Sequence, residues 1–160
     1  MPRQIEITGI LPHSASVVWS RVITSEFILN MSYPAFRYEI LAPAPAPERF
    51  QNGQYQMRAV ALGFLPIDRQ DVVSTVVADD TRGIYIIHNV SKGSPYSWDH
   101  KIALFAQTDG TCRYEDGIDI FGGPAPAAFR LITQAIFQMR RRNWAKEFSR
   151  VSPSLQSALT

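Results

Sequence analysis

Between residues 36 and 121 turn signals cut the chain into strand-length pieces, and this spacing constrains its fold more than any other feature. Residues 36–41, 54–61, 68–77, 83–90, 97–107 and 111–121 carry the alternating or β-branched apolar content of strands. Between them lie Asn52-Gly53, a corner at 63–66, Asp79-Asp80, a corner at 91–95 and Thr108-Asp109-Gly110. The last suits a three-residue hairpin loop with Gly110 in the left-handed region. Connections this short force neighbouring strands to pair antiparallel. One linker is different: Ala42-Pro43-Ala44-Pro45-Ala46-Pro47 can hold no ladder and predicts a stiff, polyproline-like surface crossing. Its other reading is a docking peptide for a proline-recognition module.

The flanks complete the pattern. Ile5 and Ile7 alternate with Glu6 and Thr8 as in a half-buried strand. Ser14 is placed to cap a helix with Val18, Trp19, Val22 and Ile23 on one side, and a second short helix starts near Ser25-Glu26 and stops before Pro34. After Gly122-Gly123-Pro124, residues 125–150 form the only long helix, with Phe129, Ile132, Ile136 and Met139 spaced by three and four. Nothing else is long enough to cover the sheet's apolar face. The expected fold is α+β: a curved seven-stranded antiparallel sheet wrapped around a long C-terminal helix, with two short helices after the first strand. Residues 1–150 then form one domain and residues 151–160 a loose tail. Where side chains between sheet and helix are too small to meet, a ligand cavity opens.

Composition narrows the function. At 160 residues and 46% hydrophobic, the chain suits one folded domain and not a disordered one. No apolar run approaches the roughly 18 residues of a membrane span, and the charged start, Met1 to Glu6, does not read as a secretory signal. A single cysteine, Cys112, excludes a disulfide framework and a cysteine zinc site, which fits a reducing cytoplasm. A net charge of +2 predicts no nucleic-acid partner. His13, His88 and His100 lack metal-ligand spacing, and no phosphate-cradling glycine pattern occurs, so neither metal nor cofactor is expected. His13 reads as solvated. Arg140-Arg141-Arg142, with Trp144 and Lys146, reads as a solvated face from which one residue can snorkel over the core. Its other reading is contact with a membrane surface, transient at most.

Polar residues on an apolar face are the best functional signal. Trp98, His100, Ile102, Leu104 and Ala106 share one face of their strand, and Tyr114, Asp116, Ile118 and Ile120 share one face of the next. A loop at 108–110 pairs Gln107 with Thr111 and sets Ile102 opposite Asp116, which makes His100 and Asp116 diagonal neighbours. An inward carboxylate needs a partner. His100 is the in-sheet candidate, with Arg58 and Arg69 as others. The pair reads either as a polar anchor or acid/base pair at a cavity wall, or as a buried pair that fixes register.

These motifs resemble the START/polyketide-cyclase/plant-allergen (SRPBCC) superfamily of helix-grip proteins, from about Ile5 to Phe148. Pro12 and Ala15 to Trp19 are similar to its "P-x-x-V-W" helix entry. Gly93-Ser94-Pro95-Tyr96-Ser97-Trp98-Asp99-His100 resembles the "G-P-Y-x-x-W-x-H" stretch of a bacterial subgroup. Asp109-Gly110-Thr111 with Tyr114-Glu115-Asp116-Gly117-Ile118-Asp119-Ile120 resembles its "G-T-x-Y-E-D-R-I-E-I", and Arg140 to Trp144 its "R-x-R-R-W". Ser94 is an extra residue, Gly117 replaces an arginine, and one residue is added before Tyr114. The resemblance implies a cavity that binds lipids, sterols, polyketides or hormones, and in some members cyclises or dehydrates polyketides. The expected ligand is small and hydrophobic, held by Trp98, His100, Ile102, Leu104, Tyr114, Asp116, Ile118, Phe129, Ile132 and Ile136. The rival readings are a cyclase or dehydratase using His100 and Asp116, and a protein-interaction module. The chain is expected to be a monomer or homodimer.

Overall fold

Antiparallel pairing of successive hairpins produces one seven-stranded sheet in the computed structural model, which describes residues 3–92, 96–122 and 126–149. For residues 3, 4, 96, 126–130 and 132 only the backbone is described. The chain runs β1 (Arg3–Leu11), α1 (Ala15–Val22), α2 (Ser25–Asn30), β2 (Phe36–Ala42), β3 (Gly53–Ala61), β4 (Leu65–Asp79), β5 (Ile84–Lys92), β6 (Tyr96–Ala106), β7 (Cys112–Gly122) and α3 (Pro126–Ser149). The sheet order is β1-β7-β6-β5-β4-β3-β2, so only β1 crosses over to pair with the last strand. Irregularities in register at Ile40/Ala42 and Ala59/Val60 bend this end of the sheet. The second also lets β4 begin at Leu65, earlier than the turn signals suggest, with Pro66 opposite Val60 near the strand's start.

The short helices begin where side chains can satisfy their free amides. The Ser14 hydroxyl accepts from the Val17 amide and Thr24 from the Phe27 amide. The alanine–proline crossing is exposed from Pro43 to Ala46 and contains cis peptide bonds at Ala42–Pro43 and Ala44–Pro45. Its far end is stitched down: Ser25 Oγ donates to the Pro47 carbonyl and Phe50 N to the Ile23 carbonyl. His13 is not solvated as expected. Its Nε2 donates to the Phe148 carbonyl (2.7 Å), capping a carbonyl in the last turn of α3.

One glycine is required where β4 turns into β5. Gly83 has φ +63°, and a Cβ there would lie 2.4 Å from the Ala106 Cβ. Gly110 is also left-handed, at φ +82°, but faces open space. Gly83→Ala is therefore expected to destabilise by about 2 kcal/mol or more, and Gly110→Ala by about 1–2 kcal/mol, the conformational cost alone. Denaturant titration of both variants checks this; equal losses would contradict the steric argument.

Two layers cover the inner face unevenly. Trp19 of α1 stacks on Tyr85 of β5 at 5.3 Å, so the Tyr85–Leu104 end of the sheet is filled by the first helix. α3 lays Thr133, Phe137, Arg140, Trp144 and Phe148 on the sheet, all buried and spaced by three and four. This stripe is rotated from the expected one, since Ile136 and Met139 are only half-buried. Trp144 stacks on Tyr114 (4.6 Å) and Phe148 (5.6 Å) and meets the edge of Phe27 (5.1 Å), closing the core at the helix's C-terminal half.

Candidate functional site

The hairpin count sets the polar centre. Ile102 lies opposite Asp116 and His100 opposite Ile118, so His100 and Asp116 are diagonal neighbours on the inner face of β6 and β7. His100 Nε2 lies 2.8 Å from Asp116 Oδ1, and the Asp116 side chain is wholly buried. Its main partner, however, comes from the helix. Arg140, 5% exposed, donates through Nε to Oδ2 (2.9 Å) and through Nη2 to both carboxylate oxygens (2.6 Å each). Trp144 Nε1 donates to Oδ2 at 3.1 Å, and Arg140 Nη1 reaches Ser32 Oγ at 3.4 Å. The expected alternatives do not reach Asp116: Arg58 pairs with Glu39, and Arg69 is exposed.

These contacts set the protonation states. Burial alone would raise the Asp116 pKa, but the Arg140 charge and the His100 hydrogen bond outweigh it and hold the carboxyl well below the usual range. Burial, helped by the Arg140 charge, pushes His100 down against the pull of Asp116, so its imidazole is neutral at neutral pH. Nε2 also lies 2.7 Å from Arg140 Nη2. One nitrogen cannot donate to the carboxylate and accept from the guanidinium at once. Because Asp116 already satisfies Nη2 with both oxygens, the imidazole donates and keeps its lone pair on Nδ1. Asp116 has no proton to give, and its lone pairs are spent.

Beside this centre, between the sheet and α3, lies a cavity of about 280 Å³. Its walls are Phe36, Tyr38, Met57, Ala59, Ile67, Trp98, Ile118, Ile120, Ile136 and Phe137, with Ser32, Asp68, Gln70, Thr133 and Arg140 as polar members. A recess of about 30 Å³ adjoins it, sharing Tyr38, Met57, Trp98, Ile118 and Arg140 and adding Ile28, Met31, Asn89 and His100. Burial raises the Tyr38 pKa against the opposing pull of Arg140, so the phenol stays protonated.

Trp98, Ile118 and Ile136 thus line the cavity, and His100 lines the recess. Ile102, Leu104 and Tyr114 do not; they are packed into the core, the first two at the end filled by α1 and Tyr114 against Trp144. Asp116 is sealed beneath Arg140. Phe129 and Ile132 belong to α3, but their side chains lie outside the described residues, as do Gly93 to Pro95, Gly123 to Ala125 and the tail 151–160. Sequence reasoning missed the wall from β2, β3 and β4, where Phe36 and Tyr38, Met57 and Ala59, and Asp68 and Gln70 stand two apart as a period-two pattern would show. It also missed Arg140, whose place four residues before Trp144 on the helix was the available signal.

Other features are less suited to ligands. A wider depression of about 390 Å³ lies between α2 and α3, but Arg21, Glu26 and Glu147 on its walls pair with one another. Cys112 is buried, and burial pushes its thiol up to about 11, far from a reactive thiolate. Among the described residues, no three His, Cys, Asp or Glu side chains are grouped to hold a metal, and no helix is long and apolar enough to cross a membrane.

The sequence matches no protein-family model and no curated protein. Solved structures do share its architecture. A START superfamily protein from Mycobacterium smegmatis aligns over 93% of this chain and 99% of its own, with TM-score 0.60 and 11% identity. The human StarD13 (DLC2) lipid transfer and protein localization domain aligns over 88% and 76%, with TM-score 0.54 and 14% identity. Truncated norcoclaurine synthase from Thalictrum flavum aligns over 85% and 91%, with TM-score 0.51 and 9% identity. Identities this low speak for architecture alone. The match extends over 85–93% of this chain, and the chain has the START-like helix-grip fold.

Proposed function

We propose that this chain binds a small hydrophobic ligand, lipid, aromatic or polyketide-like, between its sheet and α3. The observation that carries the reading is the cavity of about 280 Å³, walled mainly by apolar and aromatic side chains. Its size falls near the lower end of small-molecule sites, roughly 300–1,000 Å³. The buried charge at its floor is already neutralised, because Arg140 is spent on Asp116. An apolar body can therefore fill the space without stranding Arg140 or Asp116. The StarD13 domain, which shares the fold, is described as a lipid transfer domain.

An environment-sensitive apolar dye should bind the folded chain and brighten. Ala59→Trp, which projects an indole into the cavity, should abolish that signal while leaving the circular dichroism unchanged. Dye binding that persists in a folded Ala59→Trp variant would place the ligand elsewhere.

A cyclase or dehydratase is the second reading, supported by one feature: a neutral His100 at the wall of the recess. Asp116, ionised and fully engaged, holds the imidazole in place and moves no proton. Turnover of a poly-β-ketone analogue should then vanish in His100→Ala and persist in Trp98→Phe. Equal turnover by wild type and His100→Ala removes this reading.

A further inference from the structure

Among the described residues, three buried polar atoms in or beside the cavity wall have no hydrogen-bond partner, and the two that line it are acceptors. Asn89, 4% exposed, lines the recess, and its Oδ1 has no hydrogen-bond partner. Its cross-strand neighbours on the inner face are Ser74 on β4, whose buried hydroxyl is likewise unpartnered, and His100 on β6. Gln70 Oε1, in the wall of the larger cavity, is a third such atom. Its amide is oriented without ambiguity, since Nε2 donates to Asp68 Oδ2 at 2.7 Å and leaves the oxygen as an acceptor. Buried polar atoms are ordinarily paired, so an orphan in each of the two adjoining spaces marks where a ligand's polar group belongs.

Their kind selects among ligands. The orphans of Asn89 and Gln70 are acceptors, and they call for a donor. An anionic head brings only acceptors. It would also face Asp68, while Arg140, the one cation among the described wall residues, is already neutralised. An unsubstituted hydrocarbon leaves every orphan unpaired. A hydroxyl meets the requirement: it donates to Asn89 and accepts from a hydroxyl such as that of Tyr38, which shares the recess. A recess of about 30 Å³ has room for one oxygen atom of that size.

Resting on the binding reading above, we infer that the ligand is not an anion and carries a hydroxyl, as an alcohol or a phenol does. The hydroxyl sits in the recess against Asn89, with the apolar body in the adjoining cavity.

Displacement of the apolar dye by decanol, decanoic acid, decylamine and methyl decanoate at neutral pH tests this. Decanol should compete at about one-tenth the concentration required of the others. Asn89→Leu should erase that advantage and leave methyl decanoate unchanged. Tyr38→Phe, which keeps the ring, should weaken decanol alone by several-fold and covers the case of a poorly folding Asn89 variant. Equal competition by all four, tighter binding of the acid or the amine, or a decanol preference that survives both substitutions overturns the hydroxyl assignment while leaving the binding reading intact. Failure of the dye to bind at all overturns both.

Discussion

Arg140→Met is expected to destabilise the protein by about 3–5 kcal/mol, because it strands a wholly buried carboxylate without its counter-charge. That is a large part of the 5–15 kcal/mol that holds a typical domain together. The dependence on pH should reverse as well. In the wild type the folded pKa of Asp116 lies below the unfolded value of about 3.9. Its contribution is therefore full above about pH 4 and is lost as pH falls through the folded value. Without Arg140, burial dominates and lifts the folded pKa above the unfolded one. Asp116 then favours the folded state most below about pH 4, and stability falls as pH rises through the new folded value.

Urea midpoints measured between acid and neutral pH for wild type and Arg140→Met show the two slopes directly. The double variant Arg140→Met/Asp116→Asn should recover most of the loss, since it buries no charge and still offers an oxygen to Trp144 and His100. It also decides the matter if the single variant does not fold. A double variant no more stable than Arg140→Met would show that shape, not charge, makes Arg140 necessary.

Trp144→Ala should cost a similar amount, about 3–5 kcal/mol, for a different reason. The indole is wholly buried, and its removal leaves Tyr114, Phe148 and Phe27 facing a void. It also deletes the Nε1 donor to Asp116. Trp144→Phe separates the two contributions. It keeps most of the packing and loses the hydrogen bond to a charged acceptor, at about 1.5–3 kcal/mol. Thermal melts should register about 2–4 °C per kcal/mol for a chain of this size. A phenylalanine variant as unstable as the alanine variant would assign the residue's importance to the hydrogen bond instead of the ring.

Much of the polar centre was legible before any coordinates. A loop at 108–110 makes the register of β6 and β7 a matter of counting, and period two then decides that His100 and Asp116 look inward together. The Ser14 cap, the turns and the order of elements are equally local. The helix-grip architecture follows, because hairpins fold strands into one sheet and one long helix must cover it.

Arg140 escaped for a physical reason. It lies on another element, 24 residues from Asp116, and the inner stripe of α3 includes a threonine and an arginine. A pattern built on apolar spacing selects the adjacent stripe through Ile132, Ile136 and Met139 instead. The lining was misplaced for a related reason. Trp98, Ile102 and Leu104 point the same way from one strand, yet α1 fills the space over Leu104 while the space beside Trp98 stays open.

Local rules acting through the sequence alone therefore determined the strands, their register and the inward aim of an imidazole and a carboxylate. How far α3 stands from the sheet, how it is rotated, and which side chains meet across the gap were decided only by tertiary packing. Those distances depend on the volumes of residues distant in sequence, which no short-range pattern encodes.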